Sequence, residues 1–80
     1  MLRPYSRGHV GLTSADPADA PRIDPGFLSD PRDLPVLMRG ARIMEQVLEA
    51  PPLEAWRGKR LYRHDGSDAA LEADIRARAD

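Results

Sequence analysis

Ser29-Asp30-Pro31-Arg32-Asp33-Leu34-Pro35-Val36-Leu37-Met38-Arg39-Gly40-Ala41-Arg42-Ile43-Met44-Glu45-Gln46-Val47-Leu48-Glu49-Ala50-Pro51-Pro52 has a helical start, a helical period and a helical stop. A side-chain oxygen of Ser29 or Asp30 can accept from the first unpaired amides, Pro31 suits the first helical position, and Asp33 complements the positive end of the dipole. Pro51-Pro52 forbids continuation. The spacing predicts a helix over about residues 31–50, and a start at Asp33 fits equally because Pro35 is tolerated in a first turn. At about 100° per residue, Arg39, Arg42, Glu45, Gln46 and Glu49 share one arc of about 120°. Leu34, Val36, Leu37, Ala41, Ile43, Met44, Val47 and Leu48 fill roughly the opposite half of the helix. An apolar face that wide needs partners on two sides.

Outward from this helix the chain is punctuated by proline. Six of its eight prolines lie between Pro4 and Pro35, so the first half is predicted to be mostly irregular. The exception is residues 7–13, where Val10 and Leu12 alternate with small or polar neighbours and Thr13 closes the run, which reads as a strand. Asp16-Pro17 and Ala20-Pro21 interrupt any ladder, and Arg22-Ile23-Asp24 reads as a short extended bridge before a turn at Pro25-Gly26. After the long helix, Leu53-Glu54-Ala55-Trp56 reads as one helical turn ending at Gly58, and Arg60-Leu61-Tyr62-Arg63 as a weak strand candidate. Ser67-Asp68 caps a last helix over about residues 68–79, with Leu71 and Ile75 on its modest apolar stripe. The fold class is therefore α+β: a short N-terminal strand, a proline-rich irregular segment, a long helix, a helical turn and a C-terminal helix.

Composition excludes several functions. With 80 residues, 12 Lys+Arg against 13 Asp+Glu and a net charge of −1, the chain lacks the basic surplus that phosphate binding needs, so no nucleic-acid partner is expected. No stretch approaches about 18 apolar residues, which excludes a membrane-spanning helix in the sequence, and without Cys there is no disulfide framework. No charged start joins an apolar run in the manner of a secretion signal, which sets a cytoplasmic expectation. Eleven Arg to one Lys, alongside eleven Ala, reads as coding bias rather than a binding surface.

Nor do the residues spell a catalytic constellation. His9 and His64 sit in no metal-ligand spacing, and His64-Asp65-Gly66 reads as a turn. Ser6, Ser14, Ser29 and Ser67 read as turn or cap residues, and no base stands in a spacing that would activate them. Gly8-His9-Val10-Gly11 matches a bare Gly-x-x-Gly, but within a strand pattern rather than between two helices. The dinucleotide fingerprint and the phosphate loop are both absent. The acidic pairs Asp16/Asp19 and Glu72/Asp74 lie in a proline loop and on a solvated helix. Tyr5 and Trp56 read as packing residues. No catalytic, cofactor-binding or metal-binding residue is assigned.

Taken as an ordered string, however, these pieces resemble a known family. Ser6-Arg7-Gly8-x-Val10-x-Leu12-x-Ser14-x-Asp16-Pro17 and Pro21-x-Ile23-Asp24-Pro25-x-Phe27-Leu28-Ser29-Asp30-Pro31-x-Asp33 are similar to the C-terminal, substrate-side region of the glucose–methanol–choline (GMC) oxidoreductases. Gly40-x-Arg42, Ala50-Pro51-x-Leu53, Arg57-Gly58 and Ser67-Asp68-x-x-Leu71 follow in the same order, with choline-dehydrogenase-like and alcohol-dehydrogenase-like members nearest in pattern. The resemblance implies an FAD enzyme that oxidises an alcohol by hydride transfer to the flavin, with the flavin held in a separate Rossmann-type domain. It implies that residues 1–80 are part of the C-terminal substrate-binding domain, without the flavin-binding domain and with no FAD bound to this chain alone. The family's catalytic histidine is expected after the last helix, in a stretch His-Pro-x-Gly-Thr-Cys following Asp80, and Met1 is expected to align with interior sequence. Gly11, Phe27 and the stretch 59–66 depart from the family pattern, which bears on which alcohol is the substrate. The expected partners are the rest of the parent polypeptide and a small alcohol. The alternative reading is a stand-alone, non-catalytic helical interaction module derived from the family, using the face of Leu37, Met44 and Leu48.

Overall fold

The computed structural model describes residues 1–61 and 65–79. Their order is strand β1 (His9–Gly11), strand β2 (Arg22–Asp24), helix α1 (Asp33–Leu48), a 3-10 helix (Pro51–Trp56) and helix α2 (Asp68–Arg78), the α+β class read from the sequence. The extended bridge at residues 22–24 is a paired strand: β2 runs antiparallel to β1, with His9 opposite Asp24, Val10 opposite Ile23 and Gly11 opposite Arg22. β1 is shorter than the predicted span of 7–13 because Thr13 leaves the ladder and its hydroxyl donates to the Ala20 carbonyl at 2.8 Å. Between the strands the proline loop satisfies its own polar groups. Ser14 Oγ donates to Asp19 at 2.5 Å and accepts from the Asp16 amide, while the Asp16 carboxylate accepts from the Ala18 amide at 2.9 Å.

Helix α1 begins at Asp33, the later of the two starts the sequence allowed. Asp30 accepts from the Arg32 amide at 2.9 Å, and the Asp33 amide donates to the Asp30 carbonyl at 3.2 Å, which makes residues 30–33 a turn before the helix. Pro35 thus lies in the first turn, where its missing amide costs no intrahelical bond. The helix ends at Leu48, ahead of the double proline. No basic side chain lies in its last turn, but Arg57 Nη1 returns to donate to the Leu48 carbonyl at 3.1 Å. Pro51 and Pro52 open the 3-10 helix, so the turn predicted at residues 53–56 starts two residues earlier.

Helix α2 forms as its sequence dictates. Ser67 Oγ accepts from the Ala70 amide at 3.1 Å, Asp68 lies in the first turn, and Arg76 and Arg78 lie in the last. Glu72 pairs with Arg76 at 2.9 Å and Asp74 with Arg78 at 2.5 Å, each one turn apart. Arg42 on α1 fixes the start of α2, donating to the Gly66 carbonyl at 2.6 Å and to Asp68 at 3.1 Å. Arg60 reaches back to Glu45 at 3.3 Å and Glu49 at 2.6 Å. Arg42, Arg57 and Arg60 thus each tie one element to another.

The core is small. Among the described residues only Leu34 and Leu71 are buried apolar side chains. Helix α2 packs on α1; Leu34 is buried and Leu37, Met38 and Ala41 are half-buried, whereas Val36, Ile43, Met44, Val47 and Leu48 remain more than half exposed. One of the two partners that the wide apolar face required is present. The molecule is accordingly long, 58 × 26 × 22 Å, with a radius of gyration of 17.8 Å. A compact domain of this length has about 12 Å. Its accessible surface is 6863 Å², where scaling for its mass gives about 4,800 Å². Of the strand candidate at residues 60–63, Arg60 and Leu61 lie outside any strand, and Tyr62 and Arg63 lie outside the described residues. No helix among the described residues is long and apolar enough to cross a membrane.

Candidate functional site

The most highly organised polar site lies where the hairpin meets the helices. Asp33 is completely buried although it carries a carboxylate. One carboxylate oxygen, Oδ1, accepts from the Tyr5 amide at 2.8 Å; the other, Oδ2, accepts from the Ser6 amide at 2.8 Å and also from the Ser6 hydroxyl. Ser6 Oγ in turn accepts from the Asp30 amide at 3.0 Å, so the hydroxyl proton must point at Asp33. No buried side-chain polar atom among the described residues lacks a partner. Asp33 thus spends its charge on the N-terminal segment.

A second layer covers this knot. Arg32 Nε and Nη2 grip the Asp30 carboxylate at 2.9 and 2.7 Å, and the guanidinium carbon stands 3.9 Å above the centre of the Tyr5 ring. The Arg32 guanidinium, followed by the Arg32 amide, holds the Asp30 carboxyl at about 2, down from 3.8. The Ser6 hydroxyl holds the Asp33 carboxyl below 3.8, helped by the Tyr5 and Ser6 amides and opposed by burial. Both acids are therefore ionised at neutral pH. Arg7 Nη1 ties the approach by donating to the Pro4 and Ser6 carbonyls at 2.6 and 3.0 Å.

Two glycines let the backbones meet here. A Cβ on Gly8 would lie 2.5 Å from the Pro25 carbonyl oxygen and closer still to that of Asp24. Gly26 adopts a φ of +61°, and a Cβ there would lie 3.0 Å from the Arg7 carbonyl carbon. Leu28 is also left-handed, at φ 56°, in the chain that leads to Asp30.

Among the described residues, the other candidate side chains lie apart from this knot. His9 is exposed at the start of β1, and His64 lies outside the described residues. Asp16 and Asp19 are engaged in their loop, and Glu72 and Asp74 in their helical ion pairs, so neither pair converges on a common point. Ser14 and Ser67 are turn and cap residues as their sequence indicated, whereas Ser6 is not: its hydroxyl joins Asp30 to Asp33. Tyr5 packs under Arg32, but Trp56 is 86% exposed. No group of three His, Cys, Asp or Glu side chains among the described residues is placed to hold a metal. Away from the knot, Met44, Leu48, Leu53, Trp56 and Ile75 line an open groove of about 1000 Å³ together with charged side chains such as Glu45, Glu49 and Arg78. This groove includes Met44 and Leu48 of the helix face singled out from the sequence.

The partnership of Ser6 with Asp33 spans 27 residues, and no local rule announces it. Its signal was the company each residue keeps: Ser6-Arg7-Gly8 and Asp30-Pro31-x-Asp33 both belong to the ordered motif string.

Comparison with known proteins matches the same string. A family model described as GMC oxidoreductase, built on the C-terminal domain, covers residues 4–80. An alcohol dehydrogenase (acceptor) of Pseudomonas putida is 40% identical over 99% of the chain. A glucose dehydrogenase (FAD, quinone) of Drosophila pseudoobscura pseudoobscura is 41% identical over 76% of it, and an oxygen-dependent choline dehydrogenase of Paraburkholderia phytofirmans is 35% identical over 99%. The chain spans 15%, 10% and 14% of the lengths of these three proteins, respectively. No solved structure matches it significantly.

Proposed function

The chain belongs to the GMC oxidoreductases, and from that premise we propose that it is part of the C-terminal, substrate-side domain of an FAD-dependent enzyme oxidising CH–OH groups of alcohols. The observation that carries this reading is identity of 40% over essentially the whole chain to an alcohol dehydrogenase. The uncovered apolar side of α1 supports it, since Val36, Ile43, Met44 and Val47 stand exposed where a packed enzyme would bury them.

The flavin is the family's hydride acceptor, and the described residues do not fit it. A dinucleotide needs a glycine-rich turn delivering amides to its pyrophosphate at an uncharged helix start. Here both α-helices open on acids, Asp33 and Asp68, whose charge repels phosphate, and the Asp33 carboxylate already occupies the nearby Tyr5 and Ser6 amides. Binding of the flavin and the proton transfer are accordingly assigned to other parts of the parent polypeptide. The role proposed for these residues is to shape the domain beside the substrate.

The test is a chimera in which this chain replaces the corresponding segment of the Pseudomonas putida alcohol dehydrogenase. The chimera is expected to bind flavin and to reduce an artificial acceptor when given an alcohol, whereas the 80-residue chain alone is expected to purify colourless and inactive. A folded, flavin-loaded chimera that no alcohol reduces would refute the reading. A yellow isolated chain would overturn the placement of the flavin elsewhere.

A further inference from the structure

We propose that the Ser6–Asp33 pair is an anionic latch that fixes the direction of the β-hairpin relative to the helix pair, opening without unfolding of either half. The inference stands on geometry and is independent of the proposed activity. β1 packs on β2 and α1 packs on α2, and the molecule extends 58 Å along its long axis. One covalent path, residues 25–32, joins the hairpin to α1. The second tie is non-covalent. The segment running into β1 places the amides of Tyr5 and Ser6 and the Ser6 hydroxyl on the Asp33 carboxylate, and Ser6 also takes the Asp30 amide. Without that tie the stacking of Arg32 on Tyr5 and a linker containing Gly26 at φ +61° and Leu28 at φ 56° are left to set the angle between the halves.

The latch depends on charge as well as shape. Three donors converge on two oxygens, and only a carboxylate offers acceptors at both. An amide at residue 33 turns one acceptor into a donor facing a donor, whichever way it is flipped. The charged and titratable groups around Asp33 are Asp30, Arg32 and Tyr5 in the knot, with Arg3 lining a depression of about 490 Å³ beside it. The Ser6 hydroxyl and the Tyr5 and Ser6 amides hold the carboxylate charged, and burial and Asp30 oppose them.

The chain has no native Cys, so paired labels at Leu12→Cys on the hairpin side and Ala77→Cys on α2 report the angle directly. A pulsed electron-paramagnetic-resonance distance measurement on the labelled 80-residue chain is expected to give one narrow distribution near neutral pH. Asp33→Asn and Ser6→Ala are each expected to broaden it about twofold or more, while amide protection at Gly11 and Arg22 and the helical circular dichroism persist. Ser6→Thr, which keeps the hydroxyl, is expected to restore the narrow distribution. Lowering the pH of the unsubstituted chain well below 3.8, the ordinary value from which the Asp33 carboxyl is lowered, is expected to broaden it reversibly. A distribution that stays narrow in Asp33→Asn overturns the latch. So does loss of hairpin protection or helicity together with the broadening, since the knot would then be holding up the whole fold.

Discussion

Replacing Gly8 by Ala tests the close approach on which the hairpin base is built. Gly8 is not among the residues of positive φ, so the substitution adds one methyl group and no backbone strain. That methyl would sit 2.5 Å from the Pro25 carbonyl oxygen, nearer still to the Asp24 carbonyl oxygen, and all of its closest neighbours are backbone. A flexible side chain could swing away; a strand end cannot. Recovery of ordinary contact requires the segments to part by about 1 Å or more, which stretches a ladder bond of about 2.9 Å beyond the limit of a hydrogen bond. Overpacking of this kind costs about 2 kcal/mol, roughly a 30-fold loss in the ratio of closed to open hairpin. A two-stranded hairpin has little stability to spare. Amide hydrogen exchange at Gly11 and Arg22, a hydrogen-bonded pair of the ladder, is expected to accelerate by about that factor, with α1 amides unchanged. Exchange within about twofold of the parent chain would mean that Gly8 is not a contact residue and that the hairpin base is open.

Gly40 makes the opposite prediction: a Cβ there meets nothing within 4 Å, so Gly40→Ala is expected to stabilise α1 by about 0.5–1 kcal/mol, read as a higher melting midpoint. Leu71, 3% exposed, is the main apolar anchor of α2, and Leu71→Ala is expected to cost about 2–3 kcal/mol and to lower helical circular dichroism. Ser67→Ala removes the acceptor for the Ala70 amide, with an expected cost of about 1 kcal/mol confined to exchange at the start of α2. Because Asp30 and Asp33 bind protons less readily in the folded chain, the stability they contribute is complete above the ordinary value of 3.8. It falls away as pH drops through their folded values, about 2 for Asp30, so a pH titration of the Tyr5 near-ultraviolet signal should be flat from neutrality to about 4 and fall below it. A midpoint above 4 would contradict the hydrogen bonding assigned to Asp33.

The sequence alone determined the local elements and the family. Helix α2 follows from Ser67, Asp68 and its apolar stripe, and α1 from its period and the double proline, because caps, proline and periodicity act within one or two turns. The ordered motifs carried the family assignment for the same reason: they are local patterns. Tertiary structure decided what those residues are for. Asp33 looked like a helix-dipole carboxylate and Ser6 like a turn residue, yet each exists for the other across 27 positions. Pairing of β2 with β1, the return of Arg57 to Leu48 and the grip of Arg42 on Gly66 likewise join residues distant in sequence. The width of the apolar face on α1 announced two partners, but only packing showed that α2 supplies one of them and leaves Val36, Ile43, Met44 and Val47 exposed. Periodicity fixes which side chains share a face; which neighbour covers them depends on chain closure over long separations, and that is a property of the folded whole.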